Sequence, residues 1–269
     1  MVSFNPLESQ SRLPPIDVDK YLWRLRCKRE RTPSLKYLKF LHKAHLMHIP
    51  FENLDIHLGN QIILDINKIF EKVINRNRGG FCYELNGLFY HLLSHLGFYC
   101  HLISARTYED GEPGHEFDHA AILVYLDDKI YVADVGFGEL FLEPKLIDPS
   151  KVQMDYTKYV KIDKTVDGEY VLSMSDNSIE FEPKYIFTKT ERQYIEFIDM
   201  CHYHQTNEKS PFTKKKLITK ATPEGRITLT DSKFVQTIAG KKEEQVILNH
   251  DEFRVKLFQH FGIRFTRNR

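Results

Sequence analysis

Tryptophan and cysteine are scarce in this chain of 269 residues, and neither sign of charge dominates: one Trp, four Cys, and 38 Lys+Arg against 37 Asp+Glu, a net +1. Near-cancellation of charge argues against a long nucleic-acid footprint, which shows as a basic excess. Cys27, Cys82, Cys100 and Cys201 are scattered, with no pair at CxxC spacing. That gives neither a disulfide framework nor a zinc ribbon, and a reducing cytosol is the compartment expected. No run is apolar enough for a membrane. The longest stretch free of Asp, Glu, Lys and Arg, residues 85–105, contains His91, His95, His101, Asn86, Ser94, Ser104 and Gly97, and reads as a buried helix followed by a strand. Met1 to Leu13 is polar and has no targeting-peptide core, so a soluble protein is expected. Repeats, low-complexity tracts and long linkers are also missing.

What is present suits a folded enzyme. Hydrophobic residues make up 42%, enough to exclude disorder for the bulk and to fill a core without staples. The first third reads helical. Val18, Tyr21, Leu22 and Leu25 lie at i, i+3, i+4 and i+7 behind a cap at Asp17. Thr32-Pro33 signals a second helix with Pro33 at its first position, ending before Pro50. Asp65 caps a third, with Ile66, Ile69, Phe70 and Val73 as its apolar face. Leu85, Leu88, Phe89, Leu92 and Leu96 line a fourth that closes at Gly97. Short strands follow at residues 100–106, 119–126, 129–135, 156–162, 169–174 and 179–181, with Asp176-Asn177 as a turn. Thr190 and Gln193 form a capping box for a further helix. Residues 216–222 and 226–230 flank a Pro-Glu-Gly turn, and a last helix spans about 251–261 behind Asn249. Helices, then strands, then a mixed region is an α+β order.

Chemistry concentrates at Arg78-Gly79-Gly80-Phe81-Cys82-Tyr83-Glu84-Leu85-Asn86. Two glycines let the backbone turn tightly before a cysteine that opens a helix. A helix N-terminus favours thiolate, and its free N–H groups can hold an oxyanion. The plain alternative is a buried cysteine behaving as a small hydrophobe. Cys27, Cys100 and Cys201 lack this context and take that reading. A nucleophilic cysteine needs a base and an orienting group. Asp127-Asp128 reads as a two-residue hairpin loop. If Leu126 pairs with Lys129, Ala121 faces Asp134, and His119 and Asp134 are diagonal neighbours on one face. Their plain alternative is solvated or capping residues at strand ends.

Cys, His and Asp in this order fit the logic of a papain-like or transglutaminase-like catalytic core. The chain resembles the arylamine N-acetyltransferase family, whose Arg-Gly-Gly-x-Cys-x-x-x-Asn signature stands at Arg78 to Asn86. Pro50-Phe51-Glu52-Asn53-Leu54 and Asp134-Val135-Gly136-Phe137-Gly138 match two further signatures, and Thr206 through Phe212 is a looser fourth. The resemblance implies an N-terminal helical bundle (1–97) carrying Cys82, a central β-barrel (98–189) carrying His119 and Asp134, and a C-terminal α/β lid (190–269). It implies transfer of acetyl from acetyl-CoA, as co-substrate, to arylamines, arylhydrazines or arylhydroxylamines by a ping-pong cycle through acetyl-Cys82, with no metal. Phe51 and Phe137 would wall the amine pocket, with core packing as the alternative for each, and Thr206, Ser210 and Lys214 would meet CoA. Arg78, Glu84, Glu52 and Asn53 are expected to support the structure.

Two features depart from the family pattern. A small Thr-Gly pair found in some members before the histidine is His115-Glu116-Phe117-Asp118 here, and Lys214-Lys215-Lys216 follows Phe212. Xenobiotic metabolism in the cytoplasm, without nucleic-acid or membrane partners, completes the expectation. An amide synthase, another Cys-His-Asp thiol enzyme, or a non-catalytic scaffold are the rivals. His42, His45 and His48 recur every third residue, a spacing that could hold a metal, but no cysteine or acid stands near them in sequence.

Overall fold

In the computed structural model, which describes residues 13–264, helices come first and strands follow. Most of the polar Met1–Leu13 stretch lies outside the described residues. Helix α1 (Val18–Leu25) starts at its expected cap, where the Asp17 carboxylate accepts from Lys20 N, and it buries the four expected residues. Helix α2 (Leu35–His48) begins two residues after Pro33 because Ser34, not Thr32, is the cap; its hydroxyl accepts from Tyr37 N. Strand β1 (Phe51–Glu52) and helices α3 (Leu54–Leu58) and α4 (Ile66–Phe70) follow, with Asp65 capping α4 as expected. Helix α5 (Cys82–His95) runs through the centre. Twelve of its 14 residues are buried, which is why the sequence around it is so free of charge.

Strands β2 (Tyr99–Glu109), β3 (Glu112–Pro113), β4 (His119–Leu126), β5 (Lys129–Ala133), β6 (Lys145–Leu146), β7 (Val152–Asp155), β8 (Lys158–Lys164), β9 (Tyr170–Ser175) and β10 (Glu182–Phe187) form one nine-stranded sheet. Its order is β6-β5-β4-β2-β10-β9-β8-β7, with β3 on β2. The sheet curls into a nearly closed barrel whose seam is zipped by side chains. The Gln153 amide accepts from Leu146 N and donates to Leu146 O, both at 2.9 Å. The Asp155 carboxylate accepts from Leu142 N, Glu143 N and, at 2.5 Å, Lys145 Nζ. Alternation divides β2 and β4 cleanly. Ile103, Ala105, Ala121 and Leu123 fill the barrel, while Leu102, Ala120, Ile122 and Val124 pack on the helices.

One strand expectation fails. Residues 179–181 are a connection, with Asn177 Oδ1 accepting from Ile179 N and Glu180 N; Ile179 is exposed, and the alternating Tyr185 and Phe187 pull the strand to 182–187 instead. The Gly111-Glu112-Pro113-Gly114 segment folds back on β2 as a hairpin.

Beyond the barrel, a 3-10 turn (Tyr194–Phe197) leads into α6 (Ile198–Thr206). Its cap is Gln193, whose N–H donates to Glu196 at 2.6 Å; Thr190 is one turn too early. Helix α7 (Pro211–Lys214), strands β11 (Leu217–Thr222), β12 (Gly225–Thr230), β13 (Lys233–Ile238) and β14 (Lys241–Val246), and helix α8 (His250–Phe261) complete the chain. The second sheet has the order β1-β11-β12-β13-β14, so Phe51, opposite Thr219, joins the C-terminal strands. Among the described residues no helix is long and apolar enough to cross a membrane.

Candidate active site

The two glycines before Cys82 let its lead-in run beneath β1. A Cβ on Gly79 would sit 1.9 Å from Pro50 O, and one on Gly80 2.8 Å from the Glu84 side chain. Gly80 O accepts from Glu52 N at 2.8 Å. Around this crossing lies a buried charge cluster. Arg78 reaches Glu52 at 2.8 Å and Asp55 at 3.1 Å, while Lys72 reaches Asp55 at 2.6 Å and Glu84 at 2.9 Å. Glu84 also accepts the Phe81 N–H at 3.2 Å, capping α5. Asn53 Nδ2 donates to Phe212 O and Lys215 O, both at 2.9 Å, tying the same motif to α7. Two sequence signatures are thus halves of one interlocked corner, and Arg78, Glu52, Asn53 and Glu84 support structure as expected.

Cys82 opens α5 on this platform and is 3% exposed. All four cysteines are free. Burial pushes the Cys82 thiol well above its ordinary value, and Cys201, Asp118 and Asp134 push the same way. The thiolate expected from the helix terminus alone therefore has to overcome desolvation and two carboxylates. Burial also lifts Cys27 to about 11 and Cys100 and Cys201 to about 12.

The hairpin has the expected register. Leu126 pairs with Lys129 through a two-residue loop, and the ladder runs to Ile122 opposite Ala133. Asp127 and Asp128 both take left-handed φ, at 49° and 57°, as a type I′ turn requires. His119 and Asp134 consequently share the barrel face. His119 Nε2 lies 2.7 Å from Asp134 Oδ2. The imidazole sits between Phe137, edge-on at 5.3 Å, and Tyr185 at 5.6 Å. The other carboxylate oxygen, Oδ1, accepts from Asn86 Nδ2 at 2.8 Å and Gly136 N at 3.0 Å. Burial alone would raise the Asp134 carboxyl; His119, Asn86 and Gly136 outweigh it and hold the group below the usual carboxylate range. Asn86, one turn beyond Cys82, also donates to Ala120 O at 2.6 Å and accepts from Val135 N at 2.9 Å, locking α5 onto β4 and the end of β5. Gly136 then presses on Cys82 itself, since a Cβ there would lie 2.8 Å from Cys82 Cα.

A cavity of about 470 Å³ opens over these groups. Phe51, Phe137, Tyr203 and Phe212 line it, as do Cys82, His119 and Ser210; Thr206 and Lys214 are not among its lining residues. The Thr206 hydroxyl is spent on His202 O at 2.9 Å, and Lys214 is exposed. Ser210 is fully buried, accepts from Phe212 N at 3.3 Å and lies 3.1 Å from His204 Nδ1.

The sequence reading missed a second His–Asp pair in the wall: His204 Nε2 lies 3.0 Å from Asp118 Oδ1, and Thr107 donates to the other Asp118 oxygen. Burial would raise the Asp118 carboxyl, but its bonds to His204 and Thr107 hold it low. It also missed Tyr83, whose hydroxyl meets Phe117 O at 2.8 Å and Asp118 O at 3.0 Å just before His119, and His42, which accepts from Asp134 N at 3.0 Å. The position of Asp118 beside His119 was the one available signal; Tyr185 and His204 arrive from 66 and 85 residues downstream of His119 with no local pattern to announce them.

A profile of the N-acetyltransferase family matches residues 34–269. An arylamine N-acetyltransferase / N-hydroxyarylamine O-acetyltransferase of Salmonella typhimurium is 31% identical over 238 residues, covering 84% of this chain and 81% of that protein. Proansamycin X synthase of Amycolatopsis mediterranei is 30% identical over 246 residues, covering 88% and 94%. The solved Salmonella typhimurium arylamine N-acetyltransferase superposes with a TM-score of 0.87 at 27% identity, over 93% of this chain and 94% of that one. A Bacillus cereus arylamine N-acetyltransferase with a Cys-His-Glu catalytic triad superposes at 0.85, with 28% identity and coverage of 93% and 100%. By sequence and by fold, the chain belongs to the arylamine N-acetyltransferase family of acyltransferases.

Proposed function

We propose that the protein moves an acetyl group from acetyl-CoA to the nitrogen of an arylamine, arylhydrazine or arylhydroxylamine, by a ping-pong cycle through acetyl-Cys82. The observation that carries this is the 2.7 Å bond from His119 to Asp134, set beside Cys82 under one aromatic-walled cavity. A solitary thiolate at Cys82 is disfavoured by burial and by nearby carboxylates. Cys82 therefore acts by handing its proton to His119 rather than as a bare buried thiolate. Asp134 takes Nε2–H and leaves Nδ1 to exchange the proton with sulfur.

In the first half-cycle Cys82 Sγ attacks the thioester carbonyl as its proton passes to His119. The oxyanion is held by N–H groups of the first turn of α5, which have no intrahelical acceptor. The C–S bond to CoA breaks, and CoA leaves with the proton from His119. In the second half-cycle the amine nitrogen attacks acetyl-Cys82 and gives its proton to His119. The thiol is then restored and the amide departs. Phe51 and Phe137 stack the flat acceptor. For CoA we keep Thr206, Ser210 and Lys214 as contacts, with Ser210 supported by its place in the cavity wall. The division into helices (1–97), barrel (98–189) and lid (190–269) belongs to this reading, as does a role in xenobiotic metabolism in a reducing cytoplasm, which suits four free cysteines.

Incubation with acetyl-CoA alone, followed by mass spectrometry, tests the cycle. An acetyl adduct on Cys82 is expected, absent in Cys82→Ala and retained in Cys27→Ala, Cys100→Ala and Cys201→Ala. Full transfer by Cys82→Ala would end the proposal. The 30% relative named as a synthase keeps amide synthesis as the alternative; that reading predicts no adduct from acetyl-CoA.

A further inference from the structure

Among the described residues no group of three or more His, Cys, Asp or Glu side chains is arranged to hold an ion, and the α2 histidine nearest the site is used differently. His42 spends both ring nitrogens on main chain. It is fully buried. Nδ1 lies 2.9 Å from Leu142 O, and a carbonyl only accepts, so Nδ1 carries the hydrogen. Asp134 N donates to Nε2 at 3.0 Å, so Nε2 carries none. Both contacts demand the same neutral tautomer. The ring cannot swing, because it is stacked on Phe141 at 5.7 Å and meets Phe89 edge-on at 6.1 Å. Burial pushes His42 down to about 4 against the nearby Asp134 and Asp155 carboxylates, with Lys145 helping to lower it.

Asp134 and Leu142 are the two ends of one segment. Between them stand Gly136, pressed on Cys82, and Phe137, at the cavity. His42 itself does not line that cavity. We propose that His42 is a positioning residue, a neutral clasp that fixes the Asp134 carboxylate beneath His119 by gripping both ends of the 134–142 segment. This rests on the Cys82–His119–Asp134 reading above. Leu142 keeps a second hold through its N–H to Asp155 at 2.7 Å, so loss of the clasp frees chiefly the Asp134 end. A buried N–H without a partner there would drag the carboxylate toward a new one.

The test compares His42→Phe, His42→Gln and Asp134→Asn. The Gln amide can accept from Asp134 N and donate to Leu142 O as the imidazole does. Two quantities are read: the single-turnover rate of Cys82 acetylation, and the pH midpoint of Cys82 alkylation by neutral iodoacetamide, with near-UV circular dichroism giving the folded fraction. His42→Phe is expected to slow acetylation by about 100-fold, the scale of a 1 Å misplacement, and to move the midpoint upward in the direction of Asp134→Asn. His42→Gln is expected to restore the midpoint and most of the rate. If His42→Phe does not fold, His42→Met carries the same comparison. A loss of rate merely proportional to the folded fraction, with the midpoint unmoved, would reduce His42 to packing and overturn the proposal. An Asp134→Asn variant with wild-type rate and midpoint would overturn the triad reading, and this inference with it.

Discussion

Replacing Gly136 by alanine puts a methyl group between the two walls that must meet for the site to form. Its carbon would lie 2.7 Å from Asn86 Nδ2, 2.8 Å from Cys82 Cα and 2.9 Å from Cys82 O. Ordinary contact starts near 3.4 Å, so three atoms are each 0.5–0.7 Å too close. None is the loose end of a flexible side chain. Two belong to the first turn of α5, and Asn86 is pinned by Ala120, Asp134 and Val135. Gly136 is not among the residues with positive φ, so the effect is steric rather than conformational. Overpacking of this kind costs about 1–3 kcal/mol. At roughly 2–4 °C per kcal/mol for a chain of this order of size, Tm should fall by about 2–12 °C. The start of α5 must also shift by about half an ångström against Asp134, which should slow acetylation of Cys82 by about tenfold or more. Scanning calorimetry and single-turnover acetylation measure the two effects. Gly168→Ala is the control: its φ is +88° with open space around it, so it should lose stability and keep the acetylation rate. A Gly136→Ala protein with wild-type Tm and a rate within twofold would refute the contact argument.

Phe137→Ser should change the relative rates among para-substituted anilines while leaving the acetylation half-reaction nearly intact; equal loss for every amine together with slowed acetylation would assign Phe137 to packing under His119. Asp128→Gly relieves one of two consecutive left-handed residues and should stabilise by about 0.5–1 kcal/mol, read as a higher urea midpoint; a lower midpoint would mean that the Asp128 side chain is needed in the turn. His42 and His91 are both pushed by burial to about 4, below their ordinary 6.5. The unfolded chain takes up those protons first, so stability held above pH 6.5 is lost as pH falls toward 4, by up to about 3 kcal/mol per residue. His91→Gln should flatten the fall in urea midpoint between pH 7 and 4.5, and an unchanged slope would reject His91 as a source.

Much of this was legible in the sequence because it is local. Apolar spacing and capping residues announced α1, α4 and α8. The parity of a two-residue loop is enough to put His119 and Asp134 on one face. The failures have equally physical causes. Strand β14 is Lys-Lys-Glu-Glu-Gln-Val with every residue exposed, so its pairing with β13 leaves no alternation to read. Thr32-Pro33 is a sound start signal that lost to a better-placed serine two residues later. In sequence His42 reads as one of a helical series. What distinguishes it is burial against Leu142 and Asp134, 100 and 92 residues away, and no periodicity on α2 encodes that. Long-range satisfaction of polar groups is the part of a site that a single sequence hides best.

Charge adds a last constraint. Cys82 faces two carboxylates, Asp134 and Asp118, and both disfavour its ionisation. Each faces a histidine: Asp134 is bonded to His119, the proposed proton carrier, and Asp118 lies 3.0 Å from Nε2 of His204, which comes from α6. His204 lies edge-on to Phe212 at 5.1 Å, and Phe212 meets Phe51 at 6.1 Å, so the Asp118 pair reaches the aromatic wall where the acceptor is proposed to stack. The arrangement separates two tasks that share a strand end. On this reading Asp134 orients the proposed proton carrier, while Asp118, one residue before His119, anchors the wall of the cavity. Asp118→Asn should therefore leave the pH midpoint of Cys82 alkylation close to wild type or slightly lower, since it removes a negative charge near sulfur. It should also weaken amine selectivity as the Phe212 wall loosens. A midpoint moved upward, as expected for Asp134→Asn, would show that the two carboxylates act on the same proton and that this separation of roles is wrong.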